Sequence, residues 1–66
     1  MIGFLRGTLL EKKADHVIVE TNGVGYEVEV PASSLCLLPQ INHQTNLHIF
    51  TFVREDAIRL FGFATD

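Results

Sequence analysis

Asn22-Gly23 lies between two runs of alternating residues, and this combination restricts the fold more than any other feature of the chain. A two-residue hairpin of type I′ needs positive φ at both central positions, and Asn-Gly accepts that backbone readily. On the carboxyl side, Val24, Tyr26, Val28 and Val30 alternate with Gly25, Glu27 and Glu29. That is the period of a half-buried strand, with the first set inward. On the amino side, His16–Thr21 repeats the period, with Val17 and Val19 opposed to Ile18 and Glu20. The chain is therefore committed to antiparallel sheet around residue 22, and the remaining segments must supply strands that cover its apolar face.

Residues 1–11 form a long apolar stretch interrupted by Gly3 and Gly7. Glycine inside a strand marks a bulge or bend. A long, bent first strand that pairs on both edges is how a small barrel closes. Lys12-Lys13-Ala14-Asp15 reads as the turn into the second strand. Pro31 ends the third strand, because proline has no N–H for the ladder. Ser33 or Ser34 is placed to cap a short helical turn through Leu35, Leu37 and Leu38, and Pro39 stops it. Gln40–Thr45 is polar apart from Ile41 and reads as a loop. Leu47–Val53 is a fourth strand, apolar on both faces, with Leu47, Ile49 and Val53 opposed to Phe50 and Phe52. Arg54-Glu55-Asp56 is a charged turn. Ala57–Phe63 is a fifth strand, with Phe61 and Phe63 opposed to Ile58 and Leu60. Three meandering strands, a helical insert and a final hairpin make up the order of the OB-fold. The expected class is all-β, a five-stranded Greek-key barrel over residues 1–64 with a short helical turn between strands three and four. An SH3-like barrel is the structural alternative, and the position of the insert favours the OB-fold.

A chain of 66 residues makes one domain. Such a domain buries only roughly 60% of the surface its unfolded chain exposes. Yet 47% of its residues are hydrophobic, so apolar side chains are expected to remain outside, covered by another domain or subunit. Cys36 is the single cysteine, which fits a reducing compartment. No segment reaches the roughly 20 apolar residues of a membrane span, and Met1–Leu10 lacks the charge order of a secretory signal. A cytoplasmic location without membrane association is expected. The net charge is −3, from five basic and eight acidic residues. Neutralising phosphates supplies most nucleic-acid affinity, so strong DNA binding by this chain alone is not expected.

No catalytic constellation emerges, and neither a metal nor a cofactor is expected. His16, His43 and His48 have no familiar ligand spacing, and Cys36 has no cysteine partner. Ser33 and Ser34 lack the flanking glycines of a nucleophile elbow. Gly23 and Gly25 do not precede a helix, which excludes a phosphate-cradling loop. A stacking platform on strands two and three would need exposed aromatics, and only Tyr26 lies there, on the inward set. Glu27 and Glu29, on the outward set, would repel phosphates. In OB-folds the loops joining strands one to two and four to five also hold ligands. These are residues 12–15 and 54–56. On physical grounds Glu55-Asp56 is first a solvated turn. Any functional role must come from repulsion, excluding a phosphate backbone while neighbouring cations hold it elsewhere. Arg54, Lys12 and Lys13 are the nearest candidate phosphate contacts in sequence.

Several segments carry a family resemblance. Met1-Ile2-Gly3-Phe4-Leu5-Arg6-Gly7, Leu10-Glu11-Lys12, Asn22-Gly23-Val24-Gly25-Tyr26-Glu27-Val28 and Leu38-Pro39 resemble the amino-terminal domain of the RuvA family. So do Val53-Arg54-Glu55-Asp56-Ala57 and Leu60-Phe61-Gly62-Phe63, in the same order. The resemblance implies an OB-fold that binds four-way (Holliday) junction DNA as a homotetramer. It implies work with the hexameric motor RuvB, engaged through a C-terminal domain, in branch migration during recombination and repair. ATP chemistry would belong to RuvB, so this chain is not expected to be an enzyme. Glu55 and Asp56 match the family's acidic pin, the turn placed near the strand crossover. RuvA-like proteins continue into a helix-hairpin-helix domain that supplies most backbone contacts. This chain stops at Asp66 without one, so residues 65–66 read as the start of a linker and the chain as a fragment. Phe4 stands where some relatives carry a basic residue, which weakens a DNA contact there. The competing reading is a structural or oligomerisation barrel with no direct DNA role.

Overall fold

The computed structural model describes residues 1–64; the expected start of a linker at 65–66 lies outside the described residues. The elements run β1 (Phe4–Lys12), β2 (His16–Thr21), β3 (Val24–Glu29), α1 (Ala32–Leu35), β4 (Gln44–Arg54) and β5 (Ala57–Phe63). They close into a barrel in the order β1-β2-β3-β5-β4. The crossover through α1 carries the chain past β5's place to pair β4 with β1, and leaves β5 parallel to β3. This is the five-stranded OB-fold with its helix between the third and fourth strands, and the SH3-like alternative is set aside.

Closure depends on β1 serving two neighbours. Its first half pairs with β4, from Phe4↔His48 to Thr8↔Gln44. Its second half pairs with β2, from Thr8↔Glu20 to Lys12↔Val17, with a register shift between Leu9 and Glu11. The strand must bend sharply where the partners change. A Cβ on Gly7 would overlap the Glu20 carbonyl oxygen, so only glycine lets the two backbones come this close. Beside it the Thr21 hydroxyl donates to the Arg6 carbonyl at 2.9 Å. The chain before β1 is fastened to β4 as well. Ile2 N–H donates to Thr51 Oγ1 at 3.0 Å, and the Thr51 hydroxyl returns a bond to the Ile2 carbonyl at 2.6 Å.

The hairpin at Asn22-Gly23 has φ of +53° and +87°, the positive pair expected of that dipeptide. Inside, the alternating sets meet as expected: Leu5, Leu9, Val17, Val19, Val28 and Leu47 are buried, and Leu35 and Leu38 pack from the insert. The core contains no phenylalanine. Five strands enclose a narrow interior that branched aliphatic side chains fill.

The structure corrects four local expectations. Neither Ser33 nor Ser34 caps α1, whose N-cap is Pro31 without a side-chain bond. Ser34 is buried instead, and its Oγ accepts the Ala64 N–H at 3.3 Å. Gln44 and Thr45 belong to β4, because β1 needs partners as far as Thr8. Lys12 ends β1 and does not begin the turn. Val24 has the inward parity but is 50% exposed, because it sits at the open end of the hairpin.

Two substitutions test this packing. Thr51→Val removes both bonds to Ile2 and leaves a partly buried backbone pair without that partner, so urea denaturation should show a loss of about 1–2 kcal/mol that Thr51→Ser largely avoids. Gly62→Ala places a Cβ 2.5 Å from Val28 Cγ1, and the same measurement should show a loss of about 1–3 kcal/mol from overpacking.

Candidate nucleic-acid interface

The two strands that carry the charged turn outrun their neighbours. β1 takes β4 only through Gln44–His48, and β3 meets β5 only at Glu29↔Phe61. The rows Phe52↔Arg59, Val53↔Ile58 and Arg54↔Ala57 therefore pair only with each other. They form a two-stranded ribbon that projects from the barrel. Val53 and Ile58 show this directly. They share a side of the strands with buried Thr51 and Leu60, yet they are 63% and 70% exposed. Glu55 and Asp56 make the turn at the tip, and both are exposed. Neither has positive φ, so this turn differs from the one at Asn22-Gly23. Among the described residues, neither carboxylate enters an ion pair.

Of the three cations expected to act with this turn, only Arg54 stands on the ribbon. Its guanidinium lies over the Phe52 ring, 5.8 Å from the centroid. Lys12 Nζ donates to the Pro39 carbonyl at 3.5 Å, and Lys13 pairs with Glu11 at 3.7 Å. From the first loop it is the Asp15-His16 end that approaches the base of the ribbon. It lines a polar groove of about 430 Å³ with Glu29, Ile58 and Arg59. The His16 Nδ1 hydrogen bond at 2.9 Å holds the Asp15 carboxyl below its ordinary range. Arg59 donates twice to the Glu29 carboxylate, at 2.7 and 2.6 Å. These bonds push its guanidinium pKa still higher. Both ion pairs are exposed to solvent, and surface pairs of this kind contribute little to stability.

A second feature lies away from strands two and three, where the OB-fold layout points for a platform. All five phenylalanines lie on the outer face of β1, β4 and β5. Phe4 pairs with His48, which pairs with Phe63. The next rows are Phe50↔Phe61 and Phe52↔Arg59. Phe50 is the most open ring, at 59% exposure. The sequence signal was the second apolar set on the last two strands, Phe50 and Phe52 with Phe61 and Phe63. A strand apolar on both sides gives no parity by which to choose its inner face.

A closed OB barrel with a projecting charged hairpin between its last two strands belongs to a class that uses this loop for ligands. A family model described as the RuvA N terminal domain matches residues 1–62, and this chain belongs to that family. It is 56% identical over 64 residues to the Holliday junction branch migration complex subunit RuvA of Pseudomonas aeruginosa, a match covering 97% of this chain and 32% of the relative. The protein of the same name from Nitrosomonas europaea is 53% identical over 66 residues, covering 100% of this chain and 34% of the relative. That from Shewanella baltica is 49% identical over 65 residues, covering 98% and 32%. The chain spans about a third of the length of these curated relatives.

If the ribbon projects as described, Val53→Thr and Ile58→Thr should each change the unfolding free energy by less than about 0.5 kcal/mol. Leu60→Ala, one row deeper, should cost about 2–5 kcal/mol in the same denaturation experiment.

Proposed function

We propose that this chain is the junction-facing barrel of a Holliday junction branch migration subunit, with Glu55 and Asp56 as an acidic pin at the strand crossover. The observation that carries this reading is the position of the two carboxylates, without an ion-pair partner among the described residues, at the tip of a ribbon that extends beyond the barrel. A carboxylate about 4 Å from a phosphate is opposed by roughly 1 kcal/mol in bulk water and about 4 kcal/mol at the dielectric near a protein surface. Such a group excludes a backbone from one spot. In a homotetramer, four tips around one axis would hold the exchanging strands apart while duplex arms pass. Grip on the arms must come from cations beyond this chain, because its own net charge is −3. Movement would be driven in the cytoplasm by the motor RuvB, which would carry the ATPase and be engaged through a segment other than this barrel. The names of the relatives, each a subunit of a Holliday junction branch migration complex, support this reading. An assembly-only barrel is the competing reading, supported by the exposed apolar residues.

The two readings separate in the full-length protein. With Glu55→Gln and Asp56→Asn together, junction binding by gel shift should be retained or tightened, tetramers should persist in sedimentation, and junction selectivity or branch-migration rate should change. Complete loss of junction binding contradicts exclusion by charge, and unchanged junction handling leaves the assembly reading. The 66-residue chain alone should bind four-way junctions weakly, and tight binding that resists salt would count against the proposal.

A further inference from the structure

We propose that the outer face of β1, β4 and β5 is a binding surface for unpaired nucleic-acid bases, which stack on Phe50 and Phe52 while Arg6 and Arg54 hold the adjoining phosphates. The inference goes beyond the acidic pin, which acts on backbone charge at the tip. It concerns the face below the tip and depends on stacking.

Three observations converge. The first is the placing of the rings: the narrow core takes none of them, and the outer rows carry all five in one band. Bases have π-faces whatever their identity, so exposed rings on a sheet hold them without regard to sequence. The second is the arginines. All three in the chain sit over rings of this band, Arg6 over Phe4 at 5.6 Å, Arg54 over Phe52 at 5.8 Å and Arg59 over Phe61 at 5.4 Å. A guanidinium laid on a ring is ordered in advance, and it offers both a cation to phosphate and a plane to a base. Arg59 is partly spent on Glu29. Arg6 is held by Asn46, a neutral partner at 3.3 Å, and keeps its charge for a ligand. The third is the segregation of charge. Glu20, Glu27 and Glu29 belong to β2 and β3. The outer rows from Arg6↔Asn46 to Arg54↔Ala57 hold no acidic residue; Glu29 borders them beside Phe61, and Glu11 lies at the far end of β1. An acidic chain thus presents one face that suits a polyanion.

Spacing points to single strands. Outward residues on one strand recur every second position, roughly 7 Å apart. Bases in a duplex strand are about 3.4 Å apart, and their faces are already covered by stacking. Phe50 and Phe52 therefore match an extended, unstacked strand. The exposed aliphatic pair that a protein partner would also cover, Val53 and Ile58, is on the opposite side of the ribbon, which favours bases over a polypeptide on this face.

The test titrates the labelled chain with an oligothymidylate of about twelve nucleotides and with a duplex of equal length, read by amide chemical shifts and fluorescence anisotropy. Shifts should concentrate on β1, β4 and β5, and the oligothymidylate should bind more tightly than the duplex. The logarithm of its affinity should fall with the logarithm of salt with a slope of about −1 to −2, as expected for two or three phosphate contacts. Phe50→Leu with Phe52→Leu keeps both side chains apolar and removes the π-faces; both positions are exposed, and an unchanged melting curve would verify folding. This pair should weaken oligothymidylate binding roughly tenfold or more. Equal binding by the leucine pair, shifts confined to β2 and β3, or shifts of this face that follow protein concentration without oligonucleotide would each overturn the proposal, the last by assigning the face to a second copy. Glu55→Gln with Asp56→Asn should leave oligothymidylate binding intact or tighter, so failure of the pin and failure of the stacking face are read in different variants.

Discussion

An added Cβ at Gly7 would overlap the Glu20 carbonyl oxygen, and the whole barrel depends on that absence. β1 turns there from one partner to the other, and Thr8 is registered with both Gln44 and Glu20. Without that bend the five strands would remain an open sheet with two bare edges, a liability for a chain this small. The bend ends the ladder with β4 at Thr8↔Gln44, and its other end is set by how far the chain before Gly7 runs along β4. Pairing stops at His48, and the Thr51 hydroxyl secures the chain before β1 a little further along. Past that point β4 and β5 have only each other. The ribbon and its two terminal carboxylates thus begin where the chain before β1 stops bracing β4.

The narrow interior has a second consequence. Val17, Val19, Val28 and Leu47 are completely buried, and such side chains fill a five-stranded barrel without room for rings. Apolar residues in excess of what the core can hold must lie outside. Among the described residues, five of the eleven exposed large hydrophobic residues lie on β4 and β5, which pair with each other. Core volume and strand order together concentrate the phenylalanines on one side, while Glu20 and Glu27 lie away on β2 and β3 and Glu29 borders the rings beside Phe61 and Arg59.

Much of this architecture was legible in the sequence. Asn22-Gly23 fixed one hairpin, alternation fixed the inner faces of β2 and β3, and the glycines of the first strand announced the bend. The acidic turn was visible as a turn, and it stands at the end of a ribbon. Other features were not legible, for physical reasons. Parity sorts a strand's residues into two sets but does not tell where the neighbouring strand ends, so the exposure of Val53 and Ile58 beside buried Thr51 and Leu60 was not legible. Capping propensity favoured the serines, but Ser34 is called upon by a backbone N–H thirty residues away. Sequence proximity placed Lys12 and Lys13 in a loop of the kind that holds ligands. In the folded chain Lys12 bonds to the Pro39 carbonyl and Lys13 pairs with Glu11. Arg6 and Arg59, from opposite ends of the chain, instead join the face that carries Arg54.

Because the ribbon has no third strand beside it, it is free to coil, and two-stranded ribbons take a larger right-handed twist than strands inside a sheet. The rows from Phe52↔Arg59 to Arg54↔Ala57 therefore ascend as a winding stair whose steps turn relative to the rows held in the barrel wall. A strand laid along those steps would have to wind with them, and would meet the carboxylates at the top turned out of line with the rings at the bottom. Handedness, set by L-amino acids alone, thus gives this small surface a screw sense.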